Sequence, residues 1–130
     1  MKRVFWLAIA VCLLLAAGCA KSVTQSTENG KFRIRMVFSD DTLKLGRNEV
    51  TLKVTDEKGD DVEGSKVVVV PTMPEHHMGA MFPPTVTEEG GGSYKVVMPL
   101  MMGGHWVVKV GITKGADEGS ATFDFPNVGK

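Results

Sequence analysis

From Phe32 onward the chain alternates apolar and polar residues with period two, the signature of strands with one buried face. In FRIRMVF, Phe32, Ile34, Met36 and Phe38 share a side opposite Arg33 and Arg35. The SDD turn and a short TLKLG stretch follow. NEVTLKVTDEKG then sets Val50, Leu52 and Val54 against Thr51 and Lys53, and ends in a turn at Asp56–Gly59. GSKVVVVP is an unbroken valine run, the pattern of a strand buried on both faces, and Thr85–Glu88 predicts a short strand. SYKVVMP aligns Tyr94, Val96 and Met98. HWVVKVGI aligns Trp106, Val108, Val110 and Ile112, and SATFDFP aligns Ala121, Phe123 and Phe125. No segment in this region keeps a helical period. About seven short strands punctuated by glycines and charged turns predict an all-β chain, an immunoglobulin-like two-sheet β-sandwich, because a lone hairpin cannot bury such faces. A small barrel is the rival architecture.

The N-terminus follows different rules. Lys2 and Arg3 precede a charge-free run from Val4 to Ala17, then Gly18 and Cys19. The run is short for a spanning helix, which needs about 20 residues, and has the layout of an export signal. LLAAGC resembles a bacterial lipoprotein signal, with Ala16 where Leu is usual. The resemblance implies removal of residues 1–18 and lipidation of Cys19 (palmitate among the acyl groups). The domain would then be anchored to the membrane outside the cytoplasm. With Ala20 rather than Asp after the cysteine, the resemblance further implies the outer membrane, facing the periplasm, in a cell with two membranes. Ordinary signal cleavage and an uncleaved anchor are the alternatives. The polar stretch at residues 19–31 reads as lipidated cysteine and flexible tether, leaving one domain over residues 32–130.

Charge and cysteine content narrow the chemistry. The whole chain has 15 basic and 15 acidic side chains; loss of Lys2 and Arg3 with a cleaved signal leaves 13 basic ones and a formal net of −2. That surface does not predict a nucleic-acid partner. Cys12 and Cys19 are the only cysteines, so the mature domain has neither disulfide nor thiolate chemistry. No metalloprotease helix, nucleophile elbow or phosphate loop is present, and the Gly90–Gly92 run precedes a strand. The chain reads as a non-enzyme.

The clustering of methionine and histidine is the candidate chemistry. Apart from Met1 and Met36, every methionine lies in PTMPEHHMGAMFPP (residues 71–84) or in MPLMMGGH (residues 98–105), and so does every histidine. Thioethers are soft ligands that favour Cu(I), and neutral imidazole accepts either copper state. His77, Met78, Met81 and His105 are the first candidate ligands, followed by His76, Met73, Met101 and Met102. The plainer reading makes the thioethers packing material. Met98 shares the parity of Tyr94 and Val96, and Met36 that of its strand, so both are expected in the core. His76 and His77 would point apart in an extended segment and not share one ion. The two segments form one site only if both loops reach the same end of the sandwich.

Two segments also carry a family resemblance: MPEHHMG (residues 73–79) and GGSYKVVMPLMMGGHWVVKV (residues 91–110), each preceded by a strand. They resemble the YtkA-like domain, related in pattern to FixH-like periplasmic domains: a Met-Pro loop, Gly-x-Tyr entering one strand and Gly-x-Trp entering the next. Gly92, Tyr94, Gly104 and Trp106 match here, and the resemblance extends over most of residues 32–126. It implies an immunoglobulin-like sandwich, secreted or lipid-anchored. FixH-like proteins are associated with copper supply to a membrane oxidase, and other members with metal efflux. A lipoprotein-type cysteine replaces the membrane helix of the FixH-like pattern. The expected function is therefore an envelope copper-handling or copper-delivery lipoprotein. Its partners would be the membrane, through Cys19, and a transport or oxidase-assembly protein. A metal-free interaction module in a transport or efflux system is the competing expectation.

Overall fold

The computed structural model describes residues 21–40, 42–76, 78–79 and 82–129, with only the backbone of Met78 and Gly79. The export signal and Cys19 lie outside the described residues. Among the described residues nine strands run in chain order: β1 (Ser22–Ser26), β2 (Phe32–Phe38), β3 (Gly46–Asp56), β4 (Lys66–Met73), β5 (Met78–Gly79), β6 (Thr85–Gly90), β7 (Ser93–Leu100), β8 (Gly104–Lys114) and β9 (Asp117–Val128). They form two antiparallel sheets, β1-β2-β3-β7-β6 and β5-β4-β8-β9, in an immunoglobulin-like sandwich. Among the described residues no helix is long and apolar enough to cross a membrane.

The period-two positions become the core. Ile34, Met36, Leu52, Val54, Tyr94, Val96, Met98, Val108, Val110, Ile112 and Phe123 are almost wholly buried between the sheets. Phe38 of β2 meets Phe125 of β9 edge to face, with ring centroids 5.8 Å apart and planes at 87°. That arrangement sets the positive edge of one ring against the negative face of the other.

Two expectations change. The stretch read as a tether is largely structured: Ser22–Ser26 pairs along β2, from Ser22 opposite Val37 to Ser26 opposite Arg33. Thr27 is buried. Its neighbour Asn29 donates through Nδ2 to the Glu118 carbonyl (2.6 Å), joining the β1–β2 turn to β9. β1 is an edge strand whose five side chains are all exposed. It has no apolar face, hence no alternation to detect.

The valine run is the second. Val69 is buried, but Val68 and Val70 are each 45% exposed. β4 packs one face on the core and turns the other outward, and four identical residues cannot signal that alternation. Pro71 falls where only β8 pairs with β4, through Val108, because β5 reaches only Thr72 and Met73. A residue without an amide hydrogen is tolerated where one flank is open.

Candidate functional site

Strand direction decides whether the two Met/His segments meet. β7 ends at Leu100 opposite Gly46, the first residue of β3. β8 begins with Gly104 opposite Val128, at the end of β9. β4 reaches the same level, with Thr72 opposite Val107. β6 starts from that side too, with Thr85 opposite Val97. The loops after β4 and after β7 therefore share one rim. The open condition of the sequence analysis, that both segments come to one end, is met at the level of topology.

The rim rests on a polar anchor. Asn48 is buried at the start of β3. Its Oδ1 accepts from the Lys44 amide (2.8 Å), and its Nδ2 donates to the carbonyls of Lys44 (2.8 Å) and Met98 (3.2 Å). One side chain thus fixes the Leu43–Gly46 turn against β7. On the next turn the Trp106 indole donates to the Met102 carbonyl (2.8 Å). The backbone from Met102 to Trp106 is held while Met101 and Met102 project outward, 56% and 41% exposed.

The candidate ligands separate by environment. Met73 is almost fully buried; its Cε lies 3.1 Å from where a side chain on Gly104 would begin. It packs beneath the start of β8. Met98 and Met36 are likewise core residues, as their parity predicts. His76 is exposed and closes a single 3₁₀ turn, Pro74–His76. The extended geometry assumed for the His76–His77 pair does not hold at His76. His77 and Met81 lie outside the described residues, and of Met78 only the backbone is described, paired with Met73.

His105 has a role the sequence did not suggest. Its parity puts it on the outer face of the β4-β8-β9 sheet, beside the register shift opposite Pro126 and Asn127. There Nδ1 contacts Glu75 Oε1 and Nε2 contacts Asp124 Oδ1. A neutral imidazole has one N–H, so holding a carboxylate at each nitrogen requires the imidazolium. The Glu75 hydrogen bond, then that of Asp124, raise the His105 pKa above its ordinary 6.5. The His105 hydrogen bond in turn lowers the Glu75 carboxyl below its ordinary 4.5. With both ring nitrogens protonated and each facing a carboxylate, His105 in this arrangement clamps the Glu75 turn to β9 and leaves no free nitrogen lone pair. Glu75 sits within the histidine motif, but Asp124 is an ordinary polar alternate of β9, and only the fold brings it here.

The clamp has a defined pH window. His105 is raised, so its contribution is complete below the ordinary imidazole range and is lost as pH rises through its folded value. Glu75 is lowered, so its contribution is present above the ordinary carboxylate range and is lost as pH falls through its folded value. An NMR titration of the His105 ring is expected to show a midpoint above 6.5, and Glu75→Gln is expected to move it down. An unmoved midpoint in that variant would show that Glu75 does not hold the ring.

Among the described residues no three His, Cys, Asp or Glu side chains are arranged to hold a metal ion. Met101 and Met102 are the exposed thioethers among the described residues at this rim. None of the curated proteins and none of the solved structures matches the chain. Residues 24–111, a span that takes in β2 to β7 and the Gly-x-Tyr and Gly-x-Trp strands, match the model of the YtkA-like family, and the chain belongs to that family.

Proposed function

We propose that this protein is an extracytoplasmic domain, lipid-anchored at Cys19, whose rim binds copper as Cu(I) for handling or delivery in the envelope. Membership of the YtkA-like family is consistent with an extracytoplasmic, periplasm-associated domain. The observation that carries the copper reading is the pair of outward thioethers, Met101 and Met102, on the rim where β4 ends and the Pro74–His76 turn follows. Uncharged soft donors suit a monovalent soft ion and bury no extra ligand charge. His76, His77, Met78 and Met81 are the proposed further donors. Met73 and His105 have structural roles in this reading, one as packing and one as the clamp that positions the loop. No catalytic step is assigned to the chain.

A Cu(I) titration of the purified protein against a competing chelator tests this. One ion is expected to bind, and Met101→Ser with Met102→Ser is expected to weaken it by at least about tenfold, equivalent to about 1.4 kcal/mol. Thermal unfolding of the double variant should be little changed, because both side chains are exposed. Failure of the wild-type protein to compete for copper would sink the reading. The competing role, a metal-free interaction module for a transport or efflux protein, draws support from Leu45 and Phe82, which add 49% and 51% exposed apolar side chains at the same end.

A further inference from the structure

We infer that the rim bearing Leu45, Phe82, Met101 and Met102 lies against the lipid surface. The inference rests on the membrane-anchor part of the reading above and is independent of copper.

The direction of β1 is the first argument. β1 enters the fold with Ser22 opposite Val37, and the Phe38 amide donates to the Lys21 carbonyl (3.0 Å). Phe38 pairs with Val50 of β3, and β3 begins at the rim with Gly46. The chain therefore arrives from the rim side. From Val50 to Gly46 a strand rises roughly 13 Å. Lys21 is held in the sheet and only Ala20 separates it from Cys19, so the link can recover about 7 Å of that. A lipid on Cys19, or an apolar Val4–Ala17 segment retained in the bilayer, would hold the domain by this end on a very short leash. The opposite end cannot turn toward the same surface without unpairing β1.

Surface chemistry agrees with that orientation. Leu45, Phe82 and Met101 are the most exposed large apolar side chains among the described residues, and all three lie at this end with Met102. Leu45 stands on the turn before β3, close to Gly103 and Gly129. Phe82 belongs to the connection that leads into β6. Lys21 flanks this end, as does Lys44, which is paired with Asp40 (2.7 Å). The far end is acidic: between Asp56 and Glu63, five carboxylates stand against Lys58 alone, while Asp117 is paired with Lys31 (2.7 Å). An anionic bilayer repels the acidic far end.

Tryptophan quenching tests the orientation. The full-chain protein, produced in and purified from bacterial membranes, is reconstituted into vesicles of phosphatidylcholine and phosphatidylglycerol with brominated acyl chains. Met101→Trp and Leu45→Trp place a reporter on the rim, and Lys58→Trp places one at the far end; the native tryptophans are common to all. The emission added at 101 and 45 is expected to be quenched, and that added at 58 is expected to persist. Equal behaviour of rim and far-end reporters, with the protein still vesicle-bound, would overturn the inference. So would a rim shielded in native membranes but not in pure lipid, which would assign it to a protein partner. Protein recovered free of lipid would remove the anchor and this orientation together. Rim quenching in a protein that binds no copper would leave the orientation standing and remove only the copper reading.

Discussion

Gly92→Ala is expected to destabilise the protein by about 2–5 kcal/mol. Gly92 has φ of +78°, in the left-handed region where an L side chain is strained. A Cβ there would meet the Val54 carbonyl oxygen at 2.8 Å, Asp61 Cβ at 3.1 Å and the Val62 amide nitrogen at 3.2 Å. These are backbone and near-backbone atoms with nowhere to go. They also belong to a hydrogen-bonded knot. The Val54 amide donates to the Gly92 carbonyl (2.8 Å), and the Val62 amide donates to the Val54 carbonyl (3.0 Å). The Tyr94 hydroxyl donates to the Val62 carbonyl (2.9 Å) and accepts from the Ser65 amide (3.1 Å). The Gly-x-Tyr pair thus ties the β3–β4 connection to the start of β7: the glycine permits the approach and the tyrosine closes it. Gly90→Ala is the control. Gly90 has φ of +86°, but nothing lies within 4 Å of its absent side chain, so only the conformational cost of about 1 kcal/mol is expected. Urea denaturation measures both, and equal midpoint shifts would show that the close approach contributes nothing.

Met73→Ala should lower stability by about 2–5 kcal/mol, the cost of emptying a buried thioether site, whereas Met101→Ala should stay within about 0.5 kcal/mol. The two methionines lie in similar Met/His-rich segments, but Met73 is 1% exposed. Met73 also packs under Gly104, so the cavity left by alanine would open where β8 begins. Chemical denaturation of the two variants separates them. The contrast also bears on copper: Met101→Ala should weaken Cu(I) binding in a folded protein, while Met73→Ala should act first on the fold. A Met73→Ala protein as stable as the wild type would show that the residue is not core packing.

The same residues show why much of this protein was legible from its sequence. One-sided burial leaves a period-two trace, so β2, β3, β7, β8 and β9 were readable from Phe32, Val50, Tyr94, Trp106, Phe123 and their neighbours, and two sheets followed from the need to cover those faces. β1 left no trace because neither of its faces is covered. The valines of β4 misled because composition is blind to direction when every residue is apolar. Methionine clustering marked the rim, but could not separate packed from presented thioethers: Met is flexible enough to serve either way.

Sequence alone determined the fold class, the core positions at Ile34, Leu52, Val96 and Val108, the glycine and tyrosine of the β7 entry, and the two segments that hold nearly all the soft donors. These are local properties, written in the spacing of side chains along a strand. Tertiary structure decided the rest: that both segments share one rim, that Met73 goes under it while Met101 and Met102 stand on it, and that His105 is taken by Glu75 and Asp124. It also decided that the chain enters from the rim side. Each of these depends on strand order and direction, and pairings between residues distant in sequence leave no periodicity along the chain.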